Sequence, residues 1–388
     1  MTIIKRQLET TCRSDLKAFP VLTITGPRQS GRSTLLKSML PDWSYVNLED
    51  PSQNDFATED PKAFLRTYSN QVIFDEIQRA PKLLSYLQVE IDNDRRPGRF
   101  ALSGSHNLLL LQSISQSLAG RTSIRHLLPF SYSELASSVG DRHEIEDQLF
   151  YGFYPAVWNQ LSASGAWLDS YIQTYIERDV RLIRNVTDLG QFRRFLKLCA
   201  GRASQILDLS SLGKDVGLSH NSVREWIGVL ETGFIAYRLE PFYQNFSKRV
   251  IKSPKLYFYD TGVLCRLLAI GNSKDLELSP FRGAIFENWC VNECLKSLLN
   301  RGQQPSVYFW KDKSMEVDIV MEMGAGKISA FECKSSVTSP SNALEGPNYL
   351  QKVMTGYNIS KSVVYAGSGN QTRSDGSILD WRSFALGL

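Results

Sequence analysis

The chain has 388 residues, 42% of them hydrophobic and 22% charged, a balance that argues against extensive disorder and a length that favours two or three packed domains. A formal charge of +4 over this length excludes a surface coated in basic residues for nucleic acid, so any DNA contact has to be local. Six cysteines without a Cys-x-x-Cys pair, four histidines and no continuous apolar run long enough for a bilayer argue against a disulfide framework, a zinc site and a membrane partner. The opening MTIIKRQLETTCRSDLK lacks the apolar stretch of a signal peptide, and the expected compartment is a reducing cytoplasm.

The first informative segment is VLTITGPRQSGRSTLLK at 21 to 37. An apolar, β-rich run gives way to a glycine-bounded loop and then to a helical pattern predicted to begin at Ser33. Gly26 and Gly31 let the backbone curl so that successive N–H groups face one anion, while the following helix turns its positive end toward the same phosphates. The ATP-binding set is therefore Gly26, Pro27, Arg28, Gln29, Ser30, Gly31, Arg32, Ser33 and Thr34, with Ser33 on magnesium and Thr34 near a phosphate. Arg32 stands where the pattern GxxxxGK[ST] has lysine. Guanidinium keeps the charge but is a wider, planar fork, so binding is expected more firmly than hydrolysis.

QVIFDEIQRAP places Val72, Ile73 and Phe74 on a buried strand with Asp75 and Glu76 at its tip. An aspartate there can orient the magnesium shell, and the glutamate can polarise an attacking water. A third strand, Phe100 to Leu102, ends in Ser103, Gly104 and Ser105, where either serine is a candidate sensor of the terminal phosphate. Arg121 in SLAGR is a candidate arginine finger, acting within or between subunits. A plainer alternative is that it pairs with a carboxylate.

Residues 205 to 245 contain DLSSLGKDVGLSHNSVREWIGVLETGFIAYRLEPF, a helix-turn-helix pattern broken at Gly217. Ser219 caps a second helix running to about Glu231, and FIAYRLEPF alternates like the strand of a wing. As a DNA reader it would present Ser219, His220, Asn221 and Arg224, with Lys248, Arg249 and Lys252 on the backbone. Glu225 and Glu231 on the same helix favour the other reading, a packing module between domains.

From 283 the pattern GAIFENWCVNECLKSLL is helical, and SVYFWKD, EVDIVMEM and KISAFECKSS alternate like strands. Glu332 and Lys334 share one face of a strand, and Asp318 on the preceding strand can join them around a divalent ion. Such a set resembles the Asp, Glu-x-Lys site of restriction-endonuclease folds, with Glu287 as a fourth, helical member and Lys334 stabilising charge on a phosphodiester. The same alternation also suits any half-buried edge strand. Cys290, Cys294 and Cys333 are expected to be small hydrophobes in a core, and GSGNQTRSDGSILDW a surface loop before a last short element.

With GPRQSGRSTLL, VIFDEIQRAP, LSGSHNLLL, SLAGRTSIRHLLPFSYSEL, GFYPAVW, YIERDVRLI and PKLYFYDTGVLCRLL together, the chain resembles, nearly throughout, the prokaryotic AAA-type P-loop ATPases that carry a C-terminal nuclease-like domain. The resemblance implies an α/β architecture in three parts. A parallel five-stranded ATPase core would occupy 1–135, a helical and winged-helix region 136–270, and a restriction-endonuclease-like (PD-(D/E)xK) α/β domain 271–388. It further implies ATP and Mg2+ as cofactors and a homo-oligomer, since AAA-type sites are usually shared between neighbours. The leading expectation is a slow ATPase or nucleotide-dependent switch controlling the attached domains, with DNA as partner. The alternatives are a magnesium-dependent DNA nuclease regulated by nucleotide, and a non-catalytic nucleotide-binding scaffold.

Overall fold

The run VLTITG has no charge and four β-branched residues, and it forms a strand, β1 (Val21–Gly26), buried along its whole length. This computed structural model describes residues 3–105, 117–140, 143–175, 188–242, 253–338 and 344–388. They divide into two compact units, one of Met1–Phe130 with Thr232–Phe234 and Leu299–Gln303, the other of Ser131–Glu231, Ile235–Leu298 and Gln304–Leu388. Among the described residues no helix is long and apolar enough to cross a membrane.

In the first unit β1 lies inside a wholly parallel sheet with β2 (Ser44–Asn47), β3 (Val72–Asp75), β4 (Phe100–Ser105) and β5 (Thr122–His126), in the order β2-β3-β4-β1-β5. Alternate side chains enter two cores, as the pleat requires. Val21, Val72, Phe74, Phe100 and Leu102 pack on one face with Leu83, Leu84, Leu87 and Ile91 of the helix Leu83–Asn93. Leu22, Ile24, Ile73 and Ala101 pack on the other with α1 (Leu8–Asp15) and α2 (Arg32–Met39). The chain leaves β1 for the far edge at β2 and returns through β3 and β4, so β4 ends between the tips of β1 and β3. Parallel α/β sheets bind ligands at such a reversal, beyond the carboxyl ends of their strands.

The second unit contains the expected helix pair, Leu209–Val216 and His220–Thr232. Gly217 between them is left-handed (φ 78°), and Ser219 Oγ accepts the Ser222 amide at 3.1 Å. The strand that follows, β6 (Ala236–Leu239), pairs antiparallel with β7 (Lys255–Phe258). Ser219, His220, Asn221 and Arg224 are all exposed, whereas Lys248, Arg249 and Lys252 lie outside the described residues. The helix Arg282–Asn300 buries Trp289, Cys290 and Cys294, as expected of apolar packing.

A mixed sheet completes this unit, in the order β12-β13-β11-β10-β9-β8. Its strands are β8 (Val307–Lys311), β9 (Glu316–Gly324), β10 (Lys327–Lys334), β11 (Asn358–Tyr365), β12 (Gln371–Arg373) and β13 (Gly376–Asp380). The segment expected as a surface loop is thus corrected to a hairpin. Arg373 pairs with Gly376 across a two-residue connection, and β13 extends the sheet parallel to β11. The connection is Ser374-Asp375 with Gly376 opening β13, and a two-residue turn of this kind between short strands is a hairpin signal.

Candidate functional site

The loop after β1 is shaped by backbone conformations that side chains disfavour. Gly26 has φ 151° and Gly31 φ 93°, and a Cβ on Gly26 would sit 2.2 Å from the carbonyl oxygen of Leu127. That approach requires glycine. α2 begins one residue earlier than expected, so Arg32 is its first residue and Ser33 and Thr34 lie in its first turn. Thr34 is exposed there. Arg6 holds the loop from outside, donating to Ser30 O (2.8 Å) and Leu128 O (2.6 Å). Ser30 Oγ and Arg32 Nε are buried without a hydrogen-bond partner. Orphaned donors in a curled loop suit an anion such as a phosphate.

Arg32 is only 6% exposed and is turned back on the loop. Its Nη1 donates to the carbonyls of Gly26 and Pro27 (2.8 Å to the latter), and its Nη2 to Glu76 Oε1 at 3.1 Å. Burial lowers its pKa, opposed by the charges of Glu76 and Asp75. Glu76 itself is left-handed (φ 55°) at the strand tip, where Gln78 Nε2 donates to its other oxygen.

Asp75, 4% exposed, is the hub of the site. Ser33 Oγ donates to its Oδ2 at 2.6 Å, Tyr45 OH to the same oxygen at 2.5 Å, and Ser103 Oγ and the Glu76 amide (3.1 Å) to Oδ1. Sheet order explains the gathering, because β2, β3 and β4 run side by side and end together. Burial, and then the hydrogen bond to Asp75, push the Tyr45 phenol above its usual pKa. The Lys37 ammonium lies 3.5 Å from the Tyr45 ring centre. Tyr45, Arg6 and Gln78 were not singled out from sequence, and no local pattern marks them. At the neighbouring tip His126 Nδ1 and Thr25 Oγ1 are 2.7 Å apart, and burial lowers the imidazole pKa.

The other expected members fare differently. Ser103 is brought to Asp75, while the backbone of Ser105 pairs with Gly26 and its side chain lies outside the described residues. Arg121 precedes β5, its carbonyl accepts the Val21 amide at 3.2 Å, and it makes a two-pronged ion pair with Asp92 (2.9 and 2.8 Å). Val21 opens β1 and the loop follows its end, so the length of that strand, roughly 17 Å, separates Arg121 from the phosphates of its own chain. Arg121 therefore stands at the opposite end of β1 from the loop.

The C-terminal carboxylates do come together, around a residue not foreseen. Lys255 of β7, 3% exposed, places its ammonium 2.8 Å from Glu287 Oε1, 2.5 Å from Glu316 Oε1 and 3.9 Å from Asp318 Oδ1. Tyr257 OH also donates to Glu287 Oε1 (2.6 Å), and the Cys333 amide to Asp318 Oδ2 (2.8 Å). Lys334 Nζ donates to Glu332 Oε1 at 2.7 Å, and Glu332 Oε2 is buried without a partner. Burial pushes Glu287 up to about 7 and Glu332 up to about 8. Among the described residues no three Asp, Glu, His or Cys side chains form a group able to hold a metal ion. Of the expected metal set, Glu287 and Asp318 thus face the Lys255 ammonium, while Glu332 pairs with Lys334.

Residues 18–136 match the family described as AAA domain, residues 142–274 a domain of unknown function (DUF8612), and residues 282–384 a second domain of unknown function (DUF4143). Two uncharacterized proteins, Mb2031c of Mycobacterium bovis and Rv2008c of Mycobacterium tuberculosis, are each 32% identical to this chain over 343 residues, 87% of this chain and 75% of theirs. Among solved structures, the Walker-type ATPase PABY2304 of Pyrococcus abyssi aligns with 14% identity and a TM-score of 0.46, over 68% of this chain and 96% of its own.

Proposed function

The chain belongs to the same family as Rv2008c and Mb2031c and carries an AAA domain at residues 18–136, and we propose on that premise that it binds ATP with magnesium and acts as a slow ATPase that switches with nucleotide state. The observation that carries this reading is the convergence, at three adjacent strand tips, of a glycine-shaped loop with orphaned buried donors and of Asp75 hydrogen-bonded to Ser33. The two parts this reading assigns to magnesium and phosphate, Asp75 and the loop, are in contact through Ser33, which supports it. In this reading the loop amides and Arg32 would take the phosphates, and Ser33 and Asp75 would hold the ion. The ion, when bound, supplies positive charge to the phosphate oxygens. Tyr45 and Ser103 keep the Asp75 carboxylate oriented, and Glu76 is the group available to hold an attacking water.

Glu76 is paired with Arg32. Phosphates that draw Arg32 toward themselves therefore release Glu76, which couples occupancy of the loop to readiness of the base. The slow turnover proposed here follows from that competition. Titration calorimetry with ATP, with and without magnesium, tests the reading on the full chain. We expect magnesium-dependent binding that Asp75→Asn weakens at least about tenfold, the scale of one lost charge-assisted contact. ATP affinity that ignores both magnesium and Asp75→Asn would refute it.

A further inference from the structure

The acidic cluster of the second unit is balanced from within. Glu287 comes from the helix Arg282–Asn300, Glu316 and Asp318 from β9, and Glu332 from β10. Three lysines meet these four carboxylates: Lys255 touches Glu287 and Glu316, Lys311 donates to Glu316, and Lys334 to Glu332. A divalent ion added to that set would leave it with excess positive charge, and it would have to share its ligands with an ammonium. An ammonium offers three donors, and two of them are met at close hydrogen-bond distance by Glu287 and Glu316.

Lys255 has no easy way out. Its backbone is paired on both sides, with Leu239 of β6 and, through an isolated bridge, with Ile206. Its ammonium lies 5.5 Å from the centre of the Phe309 ring, and the residue is buried. Magnesium takes a near-octahedral shell of oxygens with one or two carboxylates among them. Asp318, the natural bridging ligand between β9 and β10, has one oxygen taken by the Cys333 amide and the other facing Lys255.

We propose that Lys255 is the resident cation of this cluster, occupying the place a catalytic divalent ion would need, so that the C-terminal domain is a metal-free scaffold locked by its own charges. Removing the ammonium should turn the cluster into a cation site. The test measures Mn2+ binding by electron paramagnetic resonance on the full chain in an Asp75→Asn background, which silences the N-terminal site and makes the result independent of the ATP reading. Without a further change, no Mn2+ should be retained in a manner sensitive to Asp318→Asn. With Lys255→Ala added, Mn2+ affinity should rise at least about tenfold as the freed carboxylates gain a partner, and Mn2+ should raise the thermal midpoint of that variant alone. Mn2+ binding by the Lys255-containing protein that Asp318→Asn abolishes would overturn the proposal. A folded Lys255→Ala variant that gains no site would overturn it as well. Should Lys255→Ala fail to fold, the comparison with and without Asp318→Asn still decides.

Discussion

Replacing Arg32 by lysine separates charge from shape at the loop. The guanidinium spans three acceptors at once, two loop carbonyls through Nη1 and Glu76 through Nη2. A single ammonium cannot bridge both ends. At 3.1 Å and an effective dielectric constant of about 20, the attraction between Arg32 and Glu76 is roughly 5 kcal/mol. Desolvation offsets most of this, since the two side chains are only 6% and 17% exposed, leaving a net pairing of about 1–2 kcal/mol. Arg32→Lys should therefore lower the stability of the nucleotide-free protein by about that amount. If release of Glu76 limits turnover, phosphate release at saturating Mg-ATP should rise by about 5- to 30-fold, the same free energy expressed as a rate. Glu76→Gln should abolish turnover in both backgrounds while ATP still binds. An Arg32→Lys protein that binds ATP yet turns over no faster than its parent would refute the reasoning, because the pair would then not be what restrains Glu76.

Two further outcomes follow from the same geometry. Gly26→Ala puts a methyl group against the Leu127 carbonyl at a backbone angle side chains disfavour, so thermal unfolding should show a loss of about 3 kcal/mol; an unchanged midpoint would contradict the close approach. His126 has its pKa lowered below the usual 6.5 by burial and by Arg125, so the folded protein favours neutral imidazole. The stability this contributes is complete above that usual value and is lost as pH falls through the lower folded one. Denaturant unfolding followed from about pH 7.5 to about pH 5 should show a decline that His126→Gln flattens, and an equal decline in both proteins would assign it elsewhere.

What could be read in advance was what neighbouring residues decide. A β-branched run, two glycines and a helical pattern behind them are enough to announce the loop at 26–33, because backbone curvature and strand propensity act over a few residues. The same holds for the strand ending in Asp75 and for the helix pair around Gly217, whose left-handed turn only glycine adopts at little cost. The hairpin at 371–380 was legible too, through its short turn, but polar composition outweighed it. Tyr45 reaches Asp75 only because β2 lies beside β3, and Arg121 stands at the opposite end of β1 from the loop only because β5 runs parallel to β1. Lys255 belongs to a strand far along the chain from Asp318, and nothing in either local pattern announces their meeting. By itself the sequence determined the elements and the curled loop, through short-range sterics and hydrophobic periodicity. Tertiary structure alone decided which charges neutralise one another, because a buried charge must find its partner wherever the packing of strands and helices brings one within a few ångströms.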